Sequence, residues 1–182
     1  SYEMKVPEEI IKETNLIFND KALQCAASGD YDKSVTLLNK AIQAEISLNK
    51  ANKMAESVLT SMTAGDAGAS LGLVSSRPDG YNETNGHGLG SLEMVDYRFL
   101  VNRGDCLRAQ HKYGLALIDY DAAMASLKIR KLGASSGVEG ARRQWNVATR
   151  LSLTHYLVAC DYFNENAYED AERQLCLAVD YN

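Results

Sequence analysis

Four cysteines and three histidines are the residues of this chain whose types could hold a metal or drive nucleophilic chemistry. Cys25, Cys106, Cys160 and Cys176 stand far apart in the sequence, so there is no CxxC pair and no metal-ligand spacing. All four fall in apolar-patterned stretches, where a thiol behaves as a small buried hydrophobe in a reducing compartment. His87, His111 and His155 lie in a loop, a turn and a helix of separate segments. A Cys–His or Ser–His–Asp arrangement would need distant residues to converge, and no local pattern prepares that. Glu165 and Glu169 read as helix-terminal charges rather than a paired acid and base. Two glycine clusters, Gly65-Asp66-Ala67-Gly68 and Gly86-His87-Gly88-Leu89-Gly90, invite comparison with phosphate loops. No Gly-Lys-Ser/Thr follows either and no strand precedes, so both read as linker. Asn82-Glu83-Thr84 is a formal glycosylation acceptor that reads here as a turn-rich tripeptide. The expectation is therefore no enzyme, no metal, no cofactor and no small-molecule substrate.

Charge narrows the partners. The net charge is −5, whereas electrostatic binding to nucleic acid or an anionic membrane calls for a basic surplus or stripe. The densest basic clusters, Lys128-Ile129-Arg130-Lys131 and Arg142-Arg143, flank a loop and read as a solvated rim. No apolar run approaches the ~20 residues of a membrane helix. Residues 1–19 lack the basic and apolar order of a signal peptide. The chain does not begin with Met, so it is expected to be cut from something longer. With 182 residues, 46% apolar and 24% charged, it has the composition of a soluble domain able to bury a core.

The elements that would position these side chains emerge from self-comparison. Residues 18–45, 100–127 and 155–182 share one pattern of two apolar-periodic helices joined by a tight turn. Small residues recur at Ala22, Gly104 and Ala159, where two helices must cross closely. They recur on the facing helix at Ser34, Ala116 and Ala171, and again at Ala41, Ala123 and Ala178. Tyr31, Tyr113 and Tyr168 stand just past each turn. Leu38, Tyr120 and Leu175 are the larger groups that fill the space between pairs. Gly29 suits a helix end with positive φ, and Asp30 suits the N-cap of the helix that follows.

This spacing resembles the tetratricopeptide repeat, a helix-turn-helix unit of about 34 residues. The resemblance implies an all-α fold of antiparallel helix pairs stacked as a superhelical solenoid, with repeats at about 15–45, 97–127 and 152–182. The copies are spaced wider than one such unit, so two loop inserts are expected. One is glycine-rich, about 63–91, with seven of the thirteen glycines; the other spans about 132–140. Helical spacing continues from 46 to 62, which lengthens the second helix of the first repeat. Pro7-Glu8-Glu9 is a favourable helix start. No copy has the proline usual near the end of the second helix, and Lys21 and Arg103 occupy a place commonly Leu; both suggest loose junctions. The third repeat finishes at Asn182 without the polar capping helix that solenoid ends need, so the array is expected to continue.

The resemblance also implies a site, a concave groove lined by the first helix of each pair. Its expected residues are Asn19, Asp20, Leu23 and Ala26, then Arg98, Val101, Asn102, Asp105 and Arg108, then Leu153, Tyr156, Leu157, Cys160 and Phe163. The groove is polar at one end and apolar at the other. Members of the family that clamp chaperone C-termini use Lys, Arg and Asn at positions matching Asn19, Leu23, Asn102, Leu153 and Leu157. Only Asn102 fits, and a terminal carboxylate would have no cation to pair with. Two blocks resemble consecutive repeats of a cilium-associated member of the family: 19–25 with 37–41, and 101–106 with Asp119-Tyr120. They imply a protein-binding scaffold of the cytoplasm and cytoskeleton, on the axoneme of cilia or flagella, with axonemal or microtubule-associated partners. The alternatives are a cytosolic adaptor of a transport or signalling complex, and a regulatory module of an enzyme whose catalytic domain lies elsewhere.

Overall fold

A computed structural model describes residues 7–63, 92–133 and 136–181. Six helices account for most of them: α1 (Glu8–Ala27), α2 (Tyr31–Thr63), α3 (Tyr97–Ala109), α4 (Tyr113–Ile129), α5 (Val138–Asn164) and α6 (Tyr168–Asp180). Among the described residues there is no strand, and the chain is all-α. The helices pack as three consecutive pairs, α1 on α2, α3 on α4 and α5 on α6. Contacts of α2 with α3 and of α4 with α5 join the pairs. The glycine-rich stretch, with His87, both glycine clusters and Asn82, lies outside the described residues.

Each pair turns in the same way. Gly29, His111 and Asn166 take positive φ values of 81°, 60° and 62°. In all three turns the next amide bonds the carbonyl five residues back: Asp30 to Cys25 at 2.9 Å, Lys112 to Leu107 at 2.9 Å and Ala167 to Tyr162 at 2.9 Å. This is a Schellman ending, which satisfies the last carbonyls of the first helix and reverses the chain. The second helix then begins on a tyrosine each time. At the first turn Asp30 accepts the Lys33 amide at 3.2 Å, as its N-cap role requires.

The small residues do what their spacing predicts. Ala22, Gly104 and Ala159 are all buried. Gly104 is the tightest: a Cβ there would lie 2.6 Å from Cε1 of Tyr120. The other two pairs carry Leu38 and Leu175 in place of Tyr120, and there Ala fits. The main core gathers Leu38, Ile42, Phe99, Leu100, Tyr120 and Leu127 from the first two pairs and Val147 and Leu151 from α5.

Two features differ from the sequence reading. Helices α1, α2 and α5 run to 20, 33 and 27 residues, longer than the dozen or so of a repeat helix, and the start at Pro7-Glu8-Glu9 and the helical spacing out to 62 anticipate the first two. Helix α5 starts at Val138, inside the expected second insert, because Gly140 packs directly against the Gly133 carbonyl with no room for a Cβ. The α2–α3 junction is not loose. Arg103 holds Asp119 with two hydrogen bonds, at 2.8 and 2.5 Å, and reaches across to Asn39 at 2.7 Å. A guanidinium fork supplies at this junction what a leucine would supply by packing.

A polar clasp holds the segment that leads into α3. Glu45 accepts the Asp96 amide at 2.6 Å, Asn49 and Arg130 donate to the Met94 carbonyl at 3.0 and 2.7 Å, and Ser126 donates to the Val95 carbonyl at 2.6 Å. Asp96 then caps α3 by accepting the Arg98 amide at 2.9 Å.

Candidate functional site

The first helices of the three pairs are tied to one another through side chains expected to line a groove. Asn102 of α3 donates to Asn19 of α1 at 2.7 Å. Asp105 of α3 receives the Arg150 guanidinium of α5 at 2.9 and 3.0 Å, and also the Tyr120 hydroxyl at 2.7 Å. Arg108 lies 3.5 Å from the same carboxylate. Asn19 is buried, and Asn102, Asp105 and Arg108 are half-buried. Arg98 is exposed, but its guanidinium folds back onto Asp96 at 2.7 Å. Four of the expected groove groups thus spend their polar atoms on each other and on Arg150 and Tyr120. Asp20 and Leu23 remain exposed on α1.

Burial and charge set the state of this network. Desolvation pushes the Tyr120 phenol far above its ordinary value, and the Asp105 carboxylate beside it adds to the effect. Tyr120 therefore stays a protonated donor. Burial also raises the Asp119 carboxyl, with the Arg103 guanidinium pulling the other way. Asn15, one turn before Asn19 on α1, is buried with both amide atoms unpaired.

The third pair presents the opposite character. Tyr156 and Phe163 are exposed and Leu157 is half-buried. With Ala159, Cys160, Asn164, Ala171 and Leu175 the two aromatics line a shallow cleft of about 260 Å³. Phe163 also meets Tyr168 edge to face, with centroids 5.4 Å apart. Sequence reasoning placed Tyr156 and Phe163 here but left out Tyr168 and Leu175. Tyr168 read as the landmark past the turn and Leu175 as a filler between pairs, and the spacing within one copy carries no signal of whether a neighbour covers them.

The potentially reactive side chains are engaged locally. His111 Nδ1 lies 2.8 Å from the Tyr113 hydroxyl. His155 Nδ1 lies 2.7 Å from Gln174, and its ring stacks on Tyr181. Cys106 is buried against Ser34 at 3.2 Å, and burial pushes its thiol up. Among the described residues no group of three or more His, Cys, Asp or Glu could hold a metal, and no helix is long and apolar enough to cross a membrane. No model of a known family, no curated protein and no solved structure matches the chain.

Proposed function

We propose that this chain is a protein-binding scaffold of tetratricopeptide-repeat type, a solenoid of helix pairs that docks other proteins and catalyses nothing. The observation that carries the proposal is the contrast between a polar row already satisfied internally and an exposed aromatic cleft on the third pair. Exposed aromatics grouped around a shallow cleft are the usual anchors of a protein interface. A photo-reactive residue at Tyr156 or Phe163 should capture partner proteins in cells of the source organism, and the same residue at exposed Thr36 of α2 should not. Equal capture at all three positions would sink the docking face.

The placement on a ciliary axoneme rests on the two sequence blocks alone. The blocks include residues that join the first two pairs, Asn19 with Asn102 and Asn39 with Arg103. Fractionation of flagella tests it: retention with microtubules through detergent and then high salt supports an axonemal scaffold. Release in detergent removes that placement and leaves the scaffold reading standing.

A further inference from the structure

Charge is spread unevenly along this chain. Residues 122–160 carry Lys128, Arg130, Lys131, Arg142, Arg143 and Arg150 against Glu139 alone, a net of +5. The whole chain is −5, so its other residues together carry −10. Two of the six cations are consumed inside the fold, Arg150 by Asp105 and Arg130 by the Met94 carbonyl and Glu45. The other four stand at the end of α4 and the start of α5. Lys128 and Lys131 are exposed and have no acidic partner among the described residues. Arg142 and Arg143 share the single carboxylate of Glu139, at 3.9 and 3.5 Å.

Packing fixes these two helix ends against each other. The Leu132 amide bonds the Leu127 carbonyl at 2.8 Å, which closes α4. Gly133 then lies beside Gln144 of α5, where a Cβ would be 3.2 Å from Oε1, and its carbonyl meets Gly140. Lys131 takes a φ of 54° in this ending. Glycine adopts that backbone freely, and lysine does so at a cost. Folding accounts for Lys128, whose charge complements the C-terminal end of α4. It gives no such reason for Lys131, nor for two arginines near the start of α5, the end at which a helix dipole favours anions.

A groove of about 540 Å³ lies beside the cations. Asp121, Met124, Ala125 and Lys128 form one stripe of α4 along it, and Gly133 and Gln144 stand across from them. The middle of the groove is apolar. Lys128 is two turns from Asp121, about 10 Å along the helix. Asp121 accepts the Tyr181 hydroxyl at 3.4 Å, so the free charge is at the Lys128 end. The groove lies between the second and third pairs, and both of its walls are present.

We propose that this surface docks a short acidic segment of a partner protein, with carboxylates on Lys128, Lys131 and Arg142 and an apolar side chain in the groove. Nucleic acid and anionic membranes are also drawn to cations. They extend past a patch of this size, however, and would meet the −10 carried by the rest of the chain. A short segment meets the cations alone. The surface shares no residue with the cleft at Tyr156 and Phe163, so it goes beyond the docking proposed there.

Fluorescence anisotropy of the whole chain with a short labelled peptide, glutamates flanking one leucine, tests this. The peptide should bind, and binding should weaken as salt rises. Lys128→Gln with Lys131→Gln alters exposed side chains, so helical circular dichroism should stay unchanged while affinity falls roughly fivefold. Lys50→Gln with Lys53→Gln removes the same charge from exposed α2 and should leave affinity as it was. Replacing the leucine of the peptide by serine should weaken binding. Equal loss in the two double variants, or no loss without the leucine, would overturn the proposal, because binding would then follow charge alone. Tighter binding of a single-stranded oligonucleotide or of phosphatidylserine vesicles than of the peptide would overturn it too. A chain that ignores the peptide yet still cross-links through Tyr156 would lose this inference and keep the scaffold reading.

Discussion

The junction between the first two pairs and the outer face of the third pair are built from corresponding positions, yet they carry different side chains in different states. Leu38 at the first junction and Tyr120 on α4 are sealed, and the polar groups are knotted together: Asn39 with Arg103, which holds Asp119, and Tyr120 with Asp105, which receives Arg150 from α5. On the third pair the same places hold Leu175, Cys176 and Gln174, with Leu175 and Cys176 exposed, and Asp105 gives way to Cys160. The repeat fixes where a side chain sits, and its neighbours decide what it does there. In the interior, charge and shape lock one pair to the next. On the outer face the same register leaves apolar groups available to something else.

The sharpest way to break this contrast is to truncate the matched large residue on each side. Tyr120→Ala should cost about 3–5 kcal/mol in urea unfolding, the range for a buried aromatic. Leu175→Ala should cost only a few tenths of a kcal/mol, as exposed substitutions do. Nearly as large is the loss expected from Arg103→Leu. It leaves the Asp119 carboxylate, 2% exposed, without its cation, at a cost of about 3–5 kcal/mol. The double variant Arg103→Leu with Asp119→Leu should recover most of that, while Lys21→Leu on exposed α1 should change stability little. A smaller effect sharpens the geometric half of the comparison. Gly104→Ala drives a methyl into the Tyr120 ring and should cost about 1–3 kcal/mol. Adding Tyr120→Leu recreates the Ala–Leu combination of the other two pairs, so the two changes should be far from additive in a double-mutant cycle.

The smallest effect concerns pH. Glu45 caps the Asp96 amide from a buried position, and burial raises its carboxyl above the ordinary 4.5 despite that hydrogen bond and Arg130. An acid whose folded pKa is raised binds its proton more tightly in the native state. Its contribution to stability is present in full below 4.5 and is lost as pH rises through the raised value. Wild-type unfolding followed upward from that pH should show the decline, and Glu45→Gln should remove it. An unchanged slope in the variant would assign the titration to another group.

Much of this architecture could be read from the residues. The small positions, the turn tyrosines and Gly29 with Asp30 located all three pairs, because close crossing and positive φ restrict which residues fit. The turns at His111 and Asn166 were marked by the tyrosines that follow them, but their positive φ was not, since neither residue announces a left-handed backbone as glycine does. The length of α5 was only partly legible, because its start depends on the Gly140 contact with Gly133. The polar end of the expected groove was least legible. Asn19 finds Asn102 across 83 residues and Asp105 finds Arg150 across 45. Spacing within one helix records which face a residue is on, and it carries no record of which distant side chain will consume its hydrogen bonds. The same blindness made Arg103 look like a flaw in packing.

Helix α2 carries one more consequence. At 33 residues it runs to about 50 Å, while its partner α1, at 20 residues, spans about 30 Å. Past Asn49, which still holds the Met94 carbonyl, every residue from Lys50 to Ser57 is exposed. A single helix therefore crosses from packed interior to open water without a break in its hydrogen bonding. Its amide protons should trade with deuterium on two clocks. Those around Leu38 should wait for the whole molecule to unfold, while those beyond Lys50 should exchange by local fraying, orders of magnitude sooner.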